Sequence, residues 1–204
     1  MINGGPLLRL PRKTAPKRGF SPGVTVLVTG FGPFPEVPFN ASATLVAALA
    51  QTMRIAEPRA RLFTAMLPTD WRQAPAEAMA LIDRLRPDVV LHFGVSRRAE
   101  GFEVETRAVN AARPAPDCTG RLPRGYHVRP GGPPVLASRL PAMLLVRKLR
   151  AAGIAAAPSR DAGRYICNAV LYQTLFRAAA LAQPPLAGFI HIPALPAVFD
   201  AGPA

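Results

Sequence analysis

The chain has 204 residues, half of them hydrophobic and 18% charged, which suits one sizeable domain with a real core and excludes global disorder. No apolar run approaches the roughly 20 residues that span a bilayer, so no membrane association is expected. Two cysteines, Cys118 and Cys167, exclude a disulfide-dense scaffold or a four-cysteine zinc site.

The formal net charge of +13 comes mostly from arginines spread among alanine, glycine and proline. The dense basic stretch, 9–18, holds five Lys or Arg without an acid, and no basic face interleaved with aromatics is evident, so specific nucleic-acid binding is not expected. His92, His127 and His191 lie singly, without ligand spacing, so no metal is expected either.

Residues 1–21 are rich in proline, glycine and base and carry no helical or strand period. They read as a disordered tail, Leu7 and Leu8 being too little for an export signal. Residues 22–204 read as one domain. From Val24 onward strands and helices alternate. The β-branched run 24–28 predicts a buried parallel strand. Residues 42–53 predict a helix with Leu45, Val46, Leu49 and Met53 on one stripe. A strand over 61–67, a helix over 75–85 and a strand over 88–93 ending at Gly94 follow. The stretch 102–109 alternates Phe102, Val104 and Thr106 against Glu103, Glu105 and Arg107, as one strand would. Residues 110–138 read as a proline-rich loop. A helix over 141–152, closed by Gly153 as a left-handed cap, precedes a strand over 154–158, a helix over 168–181 and a last strand over 188–192. This order predicts a mostly parallel open sheet with helices on both faces, binding ligands beyond the carboxyl ends of its strands.

Three residues carry the chemistry. Cys167 opens the helix over 168–181, and a thiol there feels the positive end of the helix dipole, which favours the nucleophilic thiolate. An inert buried cysteine fits the same position. His191 ends a strand stopped by Pro193 and so faces the crevice, though a core histidine bonded to a carbonyl fits as well. Glu105 shares a polar strand face with Glu103, which is also the ordinary look of a solvated face. Together they supply a nucleophile, a base and an orienting carboxylate. The loop Gly30-Phe31-Gly32-Pro33-Phe34 lacks a phosphate-binding pattern and suits an apolar ligand wall.

These residues resemble pyroglutamyl peptidase I, the pyrrolidone-carboxylate peptidases. The resemblance spans about 24–196. It is carried by Val26 to Phe34 with Asn40-Ala41-Ser42, by Asp161-Ala162-Gly163 with Cys167-Asn168, by the stretch from Gly132 to Ile154, and by Gly188 to Pro196 with His191. It implies a three-layer α/β/α sandwich and a cofactor-free cysteine peptidase that removes N-terminal pyroglutamate. By that resemblance Cys167 is the nucleophile, His191 the base and Glu105 the carboxylate, five residues before Asn110. Phe31 and Phe34 are walls for the pyrrolidone ring, with Asn40 and Val95 at the substrate. The expected partner is an N-terminally blocked peptide or small amide, in the cytoplasm, and a homo-oligomer is compatible with the sequence. An amidase or esterase with another acyl specificity, or a non-catalytic member, stands as the alternative. The chain departs from the family where Val95 replaces a Gln or Leu, where Arg97 and Arg98 replace glycines, and around Arg113, where a shortened segment leaves the match to the family's oxyanion arginine open. The basic tail and the lack of a helix after the histidine strand are further departures.

Overall fold

The structure is a computed structural model describing residues 23–32, 40–56 and 60–194. The basic tail, Phe34 and the residues after Ala194 lie outside these. The elements run β1 (Thr25–Phe31), α1 (Ala41–Ala56), β2 (Arg61–Leu67), α2 (Gln73–Leu85), β3 (Val89–Ser96), β4 (Phe102–Glu105), β5 (Arg107–Val109), β6 (Val135–Ala137), α3 (Ala142–Ala151), β7 (Ala156–Ser159), α4 (Ile166–Ala179) and β8 (Leu186–Pro193).

Six strands form one sheet in the order β2-β1-β3-β8-β4-β7. β2, β1, β3 and β8 are mutually parallel, β4 is antiparallel to β8, and β7 is parallel to β4. The expected mostly parallel sheet is therefore present, with one antiparallel pair. β1 is buried along its whole length, which is why its sequence is apolar without alternation. Leu27, Val90 and Phe189 on one sheet face pack with Ala78 and Ile82 of α2 and Val170 and Leu171 of α4. Val26, Phe93 and Ile190 on the other pack with Val46 of α1 and Val146 of α3. Helices thus cover both faces. Each fully buried large side chain in these layers contributes about 1.5–3 kcal/mol.

Several boundaries differ from the sequence reading, for local reasons. The single strand expected over 102–109 breaks at Thr106, whose backbone N–H and Oγ1 both donate to the Ser159 carbonyl at 2.8 and 2.7 Å. Beyond that clamp the chain leaves the main sheet, and β5 pairs antiparallel with β6, a short strand inside what reads as loop. α2 begins two residues before Pro75, which fits a first turn because its missing N–H has no partner there. The buried Asp70 Oδ1 accepts the Arg72 and Gln73 N–H groups, each at 2.7 Å. Gly153 follows α3 with φ +78°, the left-handed position expected of it.

His92 proves to be a core histidine. It is fully buried on β3, with Nδ1 bonded to Thr29 Oγ1 at 2.7 Å and Nε2 to Thr174 Oγ1 at 2.9 Å. Burial lowers its pKa to about 3, so the ring stays neutral and ties β1, β3 and α4 together. Among the described residues no helix is long and apolar enough to cross a membrane.

Candidate active site

The site forms where β3 and β8 end and α4 begins, on the sheet face covered by α2 and α4. Side chains alternate along β8, so His191 shares the face of Phe189 and Ala187, which belong to that side's core. β4 presents Glu103 and Glu105 to the same face, with Val104 on the other, and its antiparallel register sets Glu103 opposite His191. Glu105 is completely buried, and its Oε1 lies 2.8 Å from His191 Nδ1. That bond leaves Nε2 as the ring atom available for chemistry.

α4 starts at Ile166, so Cys167 lies within its first turn rather than ahead of it. The first helical bond there runs from the Ala169 N–H to the Tyr165 carbonyl at 3.1 Å, and the Cys167 N–H, two residues earlier, has no helical acceptor. Gly94 of β3 is the floor beneath the thiol. A Cβ added at Gly94 would stand 3.2 Å from Cys167 Sγ and 2.7 Å from the Phe189 ring, so only a residue without a side chain lets α4 bring its sulfur this close to the sheet. The Phe189 ring in turn lies 4.7 Å from that of His191.

Burial alone lowers a histidine's pKa. Here the hydrogen bonds and charges of Cys167 and Glu105 outweigh it and push His191 up to about 10. Both partners thus favour the protonated ring, which lies between the Cys167 sulfur and the Glu105 carboxylate. At Cys118, the other free cysteine, burial and the nearby Asp117 and Asp70 carboxylates push the thiol up, which disfavours the thiolate.

The structure thus brings Cys167, His191 and Glu105 together. Of the four residues expected at the substrate, the three that are described, Phe31, Asn40 and Val95, are placed differently. Val95 packs among the partly buried residues of the α1 and α3 side, on the sheet face away from Cys167, because β3 alternates and Gly94 takes the site-facing position. Phe31 is a strand residue, 3% exposed, with its ring 6.2 Å from Phe189. It backs the site from within the core and is not a loop wall. Asn40 is a helix cap: its Oδ1 accepts from the Ser42 N–H and Oγ at 3.1 and 2.8 Å, and its Nδ2 donates to the Gly32 carbonyl at 3.1 Å. Phe34 lies outside the described residues. Arg97 and Arg98 are exposed in the turn after β3.

Two further residues build the site, though sequence reasoning gives them no role. Gly94 shows only as a glycine at a strand end. Asn168, fully buried beside the nucleophile, accepts from the Val109 N–H at 2.9 Å and donates to the Val109 and Ala111 carbonyls at 2.8 and 3.0 Å. It fastens the segment after Glu105 to the helix that carries Cys167. Arg113, exposed, donates its backbone N–H to the Arg164 carbonyl at 2.7 Å and lays its guanidinium 5.7 Å from the Tyr165 ring, at the threshold of α4.

Comparison with known proteins agrees with this geometry. The family described as pyroglutamyl peptidase matches residues 24–202. The pyrrolidone-carboxylate peptidase of Pyrococcus furiosus is 34% identical over 173 residues, covering 84% of this chain and 81% of that protein. Pyrrolidone-carboxylate peptidase 1 of Ralstonia nicotianae is 39% identical over 176 residues, covering 85% and 80%. Among solved structures, pyroglutamyl peptidase I of Bacillus amyloliquefaciens superposes with a TM-score of 0.76 at 29% identity, covering 83% of this chain and 82% of that one.

Proposed function

Since this chain belongs to the pyroglutamyl peptidase family, we propose that it is a cysteine hydrolase that removes N-terminal pyroglutamyl groups from peptides, with Cys167 as nucleophile, His191 as acid and base, and Glu105 as the carboxylate that fixes the ring. The observation that carries the assignment is the 2.8 Å bond from a fully buried Glu105 to His191 Nδ1, with Cys167 in the helix turn facing the ring's other side.

In this reading the resting state is the thiolate–imidazolium pair. The Cys167 sulfur attacks the carbonyl carbon that joins pyroglutamate to the next residue, and the carbonyl oxygen takes up the negative charge. The Cys167 N–H, without a helical acceptor, is placed to donate to that oxyanion. Collapse breaks the C–N bond, and the departing amine takes the proton from His191 Nε2, leaving a thioester and a neutral ring. Water then gives a proton to Nε2 as its oxygen attacks the thioester carbon. Expulsion of the sulfur frees pyroglutamate and restores the ion pair. Glu105 holds the tautomer through its bond to Nδ1 and balances the imidazolium. Both cysteines are free, and a reducing compartment would keep the nucleophilic sulfur unoxidised, which fits a cytoplasmic location.

The expected result is that a pyroglutamyl chromogenic amide is turned over, whereas prolyl and acetyl amides with the same leaving group react at least about tenfold more slowly in kcat/KM. A site that pairs both the lactam N–H and the ring carbonyl loses on the order of 1–3 kcal/mol when a substrate leaves one such buried group unpaired. Equal or faster turnover of the prolyl or acetyl amide would assign the triad to a different acyl group.

A further inference from the structure

β4 carries a second carboxylate that the triad leaves unused. Glu103 stands on the same strand face as Glu105 and directly opposite His191. One ligand atom from each of Glu103, Glu105 and His191 can be chosen so that all three lie within 4.8 Å of one another. Glu103 is half-buried. His191 is ion-paired with Glu105. Glu105 Oε2 is moreover buried with no hydrogen-bond partner, and His191 is the ring that lies within reach of both acids.

We propose that Glu103 is a positioning residue of the reaction, a second carboxylate that acts on His191 beside Glu105 and holds the ring in its protonated form facing Cys167. The inference rests on the cysteine–histidine reading of the site and deepens it. The groups facing the ring can be named element by element. α4 supplies Cys167 and β4 the two glutamates. β3 supplies Gly94, which has no side chain, and further along the same face His92, neutral between its two threonines. Arg107, two residues beyond Glu105, is turned to the Arg160 carbonyl at 2.7 Å. Replacing the Glu103 charge therefore leaves Glu105 as the one β4 carboxylate facing the imidazolium.

An anion at this range favours a protonated neighbour, and the effect disappears with the charge. The alkaline limb of the kcat/KM profile, where the ring loses its proton, should move to lower pH by about one unit in Glu103→Gln. At the optimum, kcat/KM should fall by less than about tenfold, because Glu105 still fixes the tautomer. Glu103→Asp, which keeps the charge, should restore most of the limb. The same order should appear without any substrate, in NMR titration of the His191 ring in a Cys167→Ser background, with His92 and His127 unmoved. A His191 titration that ignores Glu103→Gln, or that moves equally in Glu103→Asp, overturns the inference. Failure to cleave pyroglutamyl amides with the ring titration still responding would instead count against the proposed substrate and leave the role of Glu103 standing.

Discussion

Cys167→Ala is expected to lower hydrolysis by on the order of 10⁴-fold or more and to abolish the rapid reaction with a thiol-alkylating reagent. Cys167→Ser should be nearly as inactive, since a hydroxyl opposite His191 does not ionise as a thiol does. The fold should survive both changes, because Cys167 is only partly buried and the cap of α4 does not use its side chain. Cys118→Ser is the control. The thiol sits beside Asp117 and Asp70, and its residue is tied to the fold through the backbone N–H, which donates to the Thr69 carbonyl at 2.9 Å. Activity within about twofold of the unchanged protein is expected for that variant. Loss of activity in Cys118→Ser with retention in Cys167→Ala would reverse the assignment.

Glu105→Gln should lower kcat by on the order of 10²- to 10⁴-fold while leaving the protein folded. The side chain is completely buried, and its Oε2 has no donor. The amide has nearly the same shape and removes a charge that the interior holds only through His191. Two effects then combine against catalysis. The imidazolium loses the partner that helps hold it above its ordinary range, and the amide can rotate to offer Nδ1 a donor, which favours the wrong tautomer. Thermal unfolding and steady-state rates measured on the same samples check this. A proportional loss of both stability and activity would make Glu105 a structural residue.

Strand alternation puts Glu103 and Glu105 on one face without choosing between them, and only the resemblance, through the five residues that separate Glu105 from Asn110, singles out Glu105 as the partner of His191. Parity also explains the failure at Val95. Once His92 is placed on the α4 side of β3, Gly94 must share that side and Val95 must face away, but which helices lie over which face is a property of the whole sheet. Asn40 carries the ordinary signal of a helix cap, an asparagine just before a helical run, and the structure uses its amide in that way. The sequence places the end of β1 too early because Gly30 and Gly32 look like turn residues, whereas pairing with β2 carries the strand through Phe31. The break at Thr106 and the strand β6 depend on partners 53 residues away at Ser159 and across the β5–β6 pair. No local pattern announces either.

Mass spectrometry of the intact protein, quenched in acid during turnover of a pyroglutamyl ester, tests the central claim most directly. The account predicts a mass increase equal to one pyroglutamyl group less the proton it replaces, mapped by peptide digestion to Cys167 and absent from Cys167→Ala. Acylation mapped to any other residue, or turnover of the ester by Cys167→Ala at the unchanged rate, would contradict it.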